Sequence, residues 1–106
     1  MQYNELVKKA KIIRDAYSQI NQKQGQKPWG FAEHMQGFVG DVGDLQKLVM
    51  ARAGLRACPD LEKKLSHELG DCLWSLMIIA DELGIDLEQS FLKTMDELAK
   101  RTGAQA

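Results

Sequence analysis

The chain has 106 residues, a formal net charge of −1, 44% hydrophobic and 27% charged residues, and two cysteines. That profile reads as one globular domain spanning residues 1–106, with a core modest enough that association is expected to complete its burial. It excludes a strongly basic partner for nucleic acid or anionic membrane, a disulfide scaffold and, with no apolar run near ~18 residues, a transmembrane helix. With no signal peptide and few cysteines, a reducing cytoplasm is the expected location.

Taken in chain order, residues 2–22 carry Leu6, Ala10, Ile13, Tyr17 and Ile20 at helical spacing. Gly25, Pro28 and Gly30 then mark a loop. A second helix is predicted over 31–53, with Phe31, Met35, Phe38, Val42, Leu45 and Val49 as its apolar stripe and Gly54 as its stop. Pro59 opens a third, over 59–83, whose stripe is Leu61, Leu65, Leu69, Cys72, Leu76, Ala80 and Leu83. Gly84 ends it, and Asp86 with Gln89 has the spacing of a capping box. The last helix, 87–101, shows Leu87, Phe91, Met95 and Leu98, and the tail Thr102–Ala106 is expected to fray. Cys72 reads as a small core residue and Cys58 as a loop thiol beside Pro59. The fold class is all-α, a four-helix bundle completed by oligomerisation.

Two acidic dyads interrupt this pattern: Asp41 with Asp44 on the second helix, and Glu68 with Asp71 on the third. The i, i+3 spacing puts both carboxylates of a dyad at neighbouring points of one helix surface, where like charges destabilise unless a cation neutralises them. Four carboxylates brought together on paired helices form the oxygen-rich set that Mg²⁺ or Mn²⁺ prefers. Gly37, Gly40, Gly43 and Gly70 each cost ~1 kcal/mol relative to alanine, a cost best explained by close approach of backbone or ligand. The alternative is a solvated face, with Lys47, Lys64 and His67 as the partners of Asp44, Glu68 and Asp71. Spacing alone leaves both readings open.

The wording around the dyads goes further. Gly40–Asp41–Val42–Gly43–Asp44–Leu45, Glu68–Leu69–Gly70–Asp71–Cys72–Leu73–Trp74 and Ala80–Asp81–Glu82–Leu83–Gly84–Ile85–Asp86–Leu87 resemble the MazG-like nucleoside triphosphate pyrophosphohydrolases over about residues 29–101. The resemblance implies Mg²⁺-dependent cleavage between the α and β phosphates of a nucleoside triphosphate. It implies Asp41, Asp44, Glu68 and Asp71 as metal ligands and catalytic residues, and a site completed in a homodimer or a tetramer of two dimers. Two departures stand out. Both acids of the first dyad are Asp where Glu is usual, and Gly40 stands where many members carry a further Glu. Members resembling dCTP pyrophosphatase share that glycine.

The same resemblance implies Lys93, Lys100 and Arg101 as phosphate-binding residues, although Thr94 and Leu98 break the expected register. Base recognition needs stacking surfaces with a few polar groups, for which Trp29, Phe31, His34 and Trp74 are the candidates. Phe31 and Trp74 read equally well as core or dimer interface. His34 and His67 lack zinc-site spacing and otherwise read as surface or supporting groups. The expected activity is hydrolysis of surplus or non-standard (deoxy)nucleoside triphosphates, with a catalytically weak nucleotide-binding or interaction module as the alternative.

Overall fold

The computed structural model describes residues 1–105. It contains four helices: α1 (Tyr3–Lys23), α2 (Phe31–Arg52), α3 (Leu61–Glu82) and α4 (Leu87–Thr102). No strand occurs among the described residues. Each helix lies within two residues of its expected span, because the signals that bound it are local. The Glu33 carboxylate accepts from Gly30 N at 2.9 Å to start α2, and Asp86 accepts from Gln89 N at 3.1 Å to start α4. Gly25, Gly54, Gly84 and Gly103 all take positive φ just beyond a helix end, the conformation glycine adopts without strain. The third helix starts two residues later than expected. Asp60 holds φ at 54°, a left-handed conformation that keeps Pro59 out of the helix. Ala106, the last residue of the tail expected to fray, lies outside the described residues.

α3 is the centre of the molecule, with α2 packed along it and α1 on another side. Ala10, Met77 and Ile78 form the small buried cluster between α1 and α3, backed by Tyr3, Val7, Trp74 and Leu87. Arg14 ties the same two helices by donating from Nη1 to Asp81 Oδ2 at 2.7 Å.

The expected stripes need correction. The half-buried or buried face of α1 is Tyr3, Val7, Ala10, Arg14, Ser18 and Asn21, while Ile13, Tyr17 and Ile20 are exposed. On α2 the inward residues are His34, Phe38, Asp41, Leu45, Leu48 and Ala51, while Phe31, Met35, Val42 and Val49 face out. On α3, Leu69, Leu73, Leu76 and Leu83 face out as well. At about 100° per residue, these outward apolar residues of α2 and α3 lie on the same side of the antiparallel pair, away from α1. Apolar periodicity thus identified a face on each helix, but on α2 that face is largely the one this chain leaves uncovered.

The molecule is correspondingly open. Its radius of gyration is 16.7 Å, against about 13 Å for a compact domain of this length. Its accessible surface is 8080 Å², against about 6,000 Å² for a compact monomer of this mass.

Candidate functional site

The acids lie in the seam between α2 and α3. Asp41 is at the centre of the inward face of α2, between Phe38 and Leu45. Asp44 follows one turn on, and Glu68 is half-buried on the facing side of α3. One carboxylate oxygen from each of Asp41, Asp44 and Glu68 lies within 4.8 Å of the others. Oxygens sharing an octahedral Mg²⁺ are about 3–4 Å apart, so small side-chain rotations close the set. The chain supplies no neutralising partner: among the described residues none of the three forms a salt bridge, and neither Lys47 nor Lys64 pairs with the acid expected for it. A hard, all-oxygen, uncompensated donor set fits Mg²⁺ or Mn²⁺.

Asp71 stands beside this cluster. His67 Nε2 lies 3.2 Å from its Oδ2. Asp71 and Asp41 line the same pocket. Burial, then the charges of Asp71 and Asp44, raises the Asp41 carboxyl above its ordinary value, while the Glu68 and Ser75 side chains pull the other way. Burial, then Asp41, raises Glu68. These are carboxylates held together against their own repulsion.

Beside Asp41 and Asp71 opens a pocket of about 350 Å³ between α1, the loop after it and the α2–α3 pair. Tyr17, Trp29 and Trp74 give it aromatic walls, and Arg14, Asn21 and His34 give it polar ones. His34 is no surface residue. It is 4% exposed, its ring edge-on to Trp29 at 5.4 Å and to Trp74 at 5.7 Å, and its Nε2 has no hydrogen-bond partner. Trp29 is 47% exposed and lies over Gly37, where an added Cβ would come within 3.1 Å of its ring. That close approach explains Gly37. At Gly40, Gly43 and Gly70 an added Cβ would meet nothing within 4 Å, so these glycines do not serve helix approach within the chain.

The other candidates separate. Trp74 lines the pocket, but its Nε1 is committed to the Ala10 carbonyl at 3.0 Å, leaving only its ring for a ligand. Phe31 is 52% exposed and does not line this pocket. Lys93, Lys100 and Arg101 lie on α4, which contributes no fully buried residue and no side chain to this pocket. Within one chain the structure does not bring them to the acids. Sequence reasoning missed Arg14 and Asn21. The trace of them in the sequence is helical spacing: Val7, Ala10, Arg14, Ser18 and Asn21 form a second stripe on α1 with a half-buried cation in it.

Residues 32–104 match the family model for the MazG nucleotide pyrophosphohydrolase domain. The chain belongs to the MazG family. No curated protein and no solved structure matches it. Membership carries a nucleotide pyrophosphohydrolase type of activity and a general dependence on divalent metal. In this MazG-family chain both acidic dyads, His34 and Trp74 fall inside the matched span, whereas Arg14, Tyr17, Asn21 and Trp29 lie before it. No helix is long and apolar enough to cross a membrane.

Proposed function

We propose that this chain, read as one domain over residues 1–106, hydrolyses (deoxy)nucleoside triphosphates to the monophosphate and pyrophosphate with Mg²⁺, or Mn²⁺ in its place. Surplus or non-standard nucleotides of the cytoplasm are the proposed substrates. The observation that carries this reading is the uncompensated convergence of Asp41, Asp44 and Glu68 beside a pocket with aromatic walls.

Asp41, Asp44 and Glu68 hold the ion, and Asp71 supplies the fourth carboxylate beside them. A divalent ion bound there supplies charge neutralisation for the phosphates and lowers the pKa of water. The protein's own part is positioning. Trp29, Trp74 and His34 accept the base, and the acids fix the end of the pocket where the α-phosphorus lies. Water oxygen bonds to that phosphorus as the bond to the α–β bridging oxygen breaks, the electron pair leaves with pyrophosphate, and the water's proton is released to solvent.

The uncovered α2–α3 face supports a homodimer, or a tetramer of two dimers. The excess surface is roughly 2,000 Å² per chain, so a dimer that covered it would bury roughly 4,000 Å² over the two partners, in the range of obligate homodimers. In that assembly Lys93, Lys100 and Arg101 reach the phosphates from a partner chain, and Phe31 lies in the interface.

The test is a panel of common and modified (d)NTPs with Mg²⁺, products separated by ion exchange, for the parent and Asp44→Asn. Monophosphate plus pyrophosphate from a subset, lost in the variant, supports the reading. Intact nucleotides throughout, with Mg²⁺-dependent stabilisation, would make the chain a binding module, with the shortened acids of the first dyad as the cause.

A further inference from the structure

The acid cluster divides two openings. On the side away from Trp29, the α2–α3 turn encloses a second cleft of about 570 Å³. Asp44 and Glu68 form the end where it meets the acids, and Lys47, Arg56, Lys63 and Lys64 line the rest. Asp60 is its one other carboxylate. Among the described residues none of these four cations forms a salt bridge; Lys64 Nζ reaches only Cys58 Sγ, at 3.9 Å. The chain therefore gathers four unpaired cations around one cleft and leaves their charge to be met from outside. The neighbouring Arg52, by contrast, is paired with Glu62.

We propose that this cleft is the subsite for the terminal two phosphates of the substrate and for the pyrophosphate they become. The inference rests on the pyrophosphohydrolase reading and deepens it. It gives the nucleotide a direction, with the base under Trp29, the α-phosphorus at the acids and the β and γ phosphates toward the α2–α3 turn. It also gives the triphosphate a physical reason: a nucleoside diphosphate would bring one phosphate, not two, to these cations. Lysine ammoniums act on phosphate as point charges, and Arg56 adds a planar fork for two oxygens.

The test is calorimetric binding of inorganic pyrophosphate and of nucleoside monophosphate to the metal-free protein. Three proteins are compared: the parent, Arg56→Gln/Lys63→Gln, and Lys8→Gln/Lys9→Gln as a control of equal charge change on α1. All four substituted side chains are on or near the surface, and melting temperature checks the fold. The expected result is pyrophosphate binding weakened about tenfold in the first variant alone, with monophosphate binding unchanged. Equal loss in both variants, equal loss for both ligands, or sulfate binding as well as pyrophosphate, would overturn the proposal and leave an adventitious anion site only. Hydrolysis is measured alongside. Turnover with no selective pyrophosphate effect sinks the cleft and spares the enzyme; selective pyrophosphate binding without turnover of any nucleotide spares the cleft and sinks the enzyme.

Discussion

Trp74 Nε1 donates to the backbone carbonyl of Ala10 at 3.0 Å, joining the middle of α3 to the middle of α1. The same indole forms one wall of the pocket beside the acids, so one side chain both docks α1 and shapes that pocket. Ala10 is buried, and water would not readily replace the donor. The Ala10 carbonyl keeps its bond within α1, so Trp74→Phe is expected to cost about 2 kcal/mol through the lost indole hydrogen bond and the lost ring volume, read from denaturant unfolding. A cost below a few tenths of a kcal/mol would mean that the Ala10–Met77–Ile78 cluster and the Arg14–Asp81 pair hold α1 without the indole.

The paired acids give the metal-free protein a pH dependence of definite sign. Asp41 and Glu68 titrate above their ordinary values. The stability tied to a raised folded pKa is fully present below the unfolded value, near about pH 4, and is lost as pH climbs through the raised one. Asp41→Asn/Glu68→Gln removes that loss. In EDTA the variant is expected to melt above the parent at pH 7.5, with the gap closing toward pH 4, and Mg²⁺ is expected to raise only the parent. A gap as wide at pH 4 as at pH 7.5 would show that the acids do not repel across the seam.

His34 is expected to trade stability for recognition. Burying an imidazole nitrogen without a partner costs about 1–3 kcal/mol, and burial holds the ring toward its neutral form. Leucine fills much of the same space without the polar atom. His34→Leu should therefore leave the fold as stable or up to about 1 kcal/mol more so, while flattening the preference among bases measured as ratios of kcat/KM. If the ratios stay put while stability rises, the pocket reads bases by other groups.

The helix glycines divide into two kinds. Gly43→Ala meets no neighbour within 4 Å and is expected to stabilise by up to about 1 kcal/mol, since alanine is the better helix former. Gly37→Ala pushes a methyl to 3.1 Å from the Trp29 ring and is expected to displace it. Trp29 fluorescence in a Trp74→Phe background should shift for Gly37→Ala and not for Gly43→Ala. The reverse pattern would remove Trp29 from the pocket wall.

Number, order and ends of the helices were legible in the sequence because caps and glycine stops act within a few residues. The acid pair was legible too, since Asp41 with Asp44 and Glu68 with Asp71 share a helical face. Which face turns inward was not. On α2 the apolar periodicity of Phe31, Met35, Val42 and Val49 outweighs the true seam, which spends two of its positions on His34 and Asp41. Arg14 and Asn21 were hidden for another reason: they share a helical stripe with Val7 and Ala10, but it is contact with α2 and α3 that makes that stripe a pocket wall.

Asp41 occupies the middle of the helix seam, the position where an engineer seeking a hardier protein would first install leucine. On the proposed reading any such repair removes a metal ligand, and any substitution that tunes the ligand set acts on the α2–α3 seam itself. With Asp41 holding the ion as proposed, durability and activity are written into the same few side chains, and neither can drift far without the other.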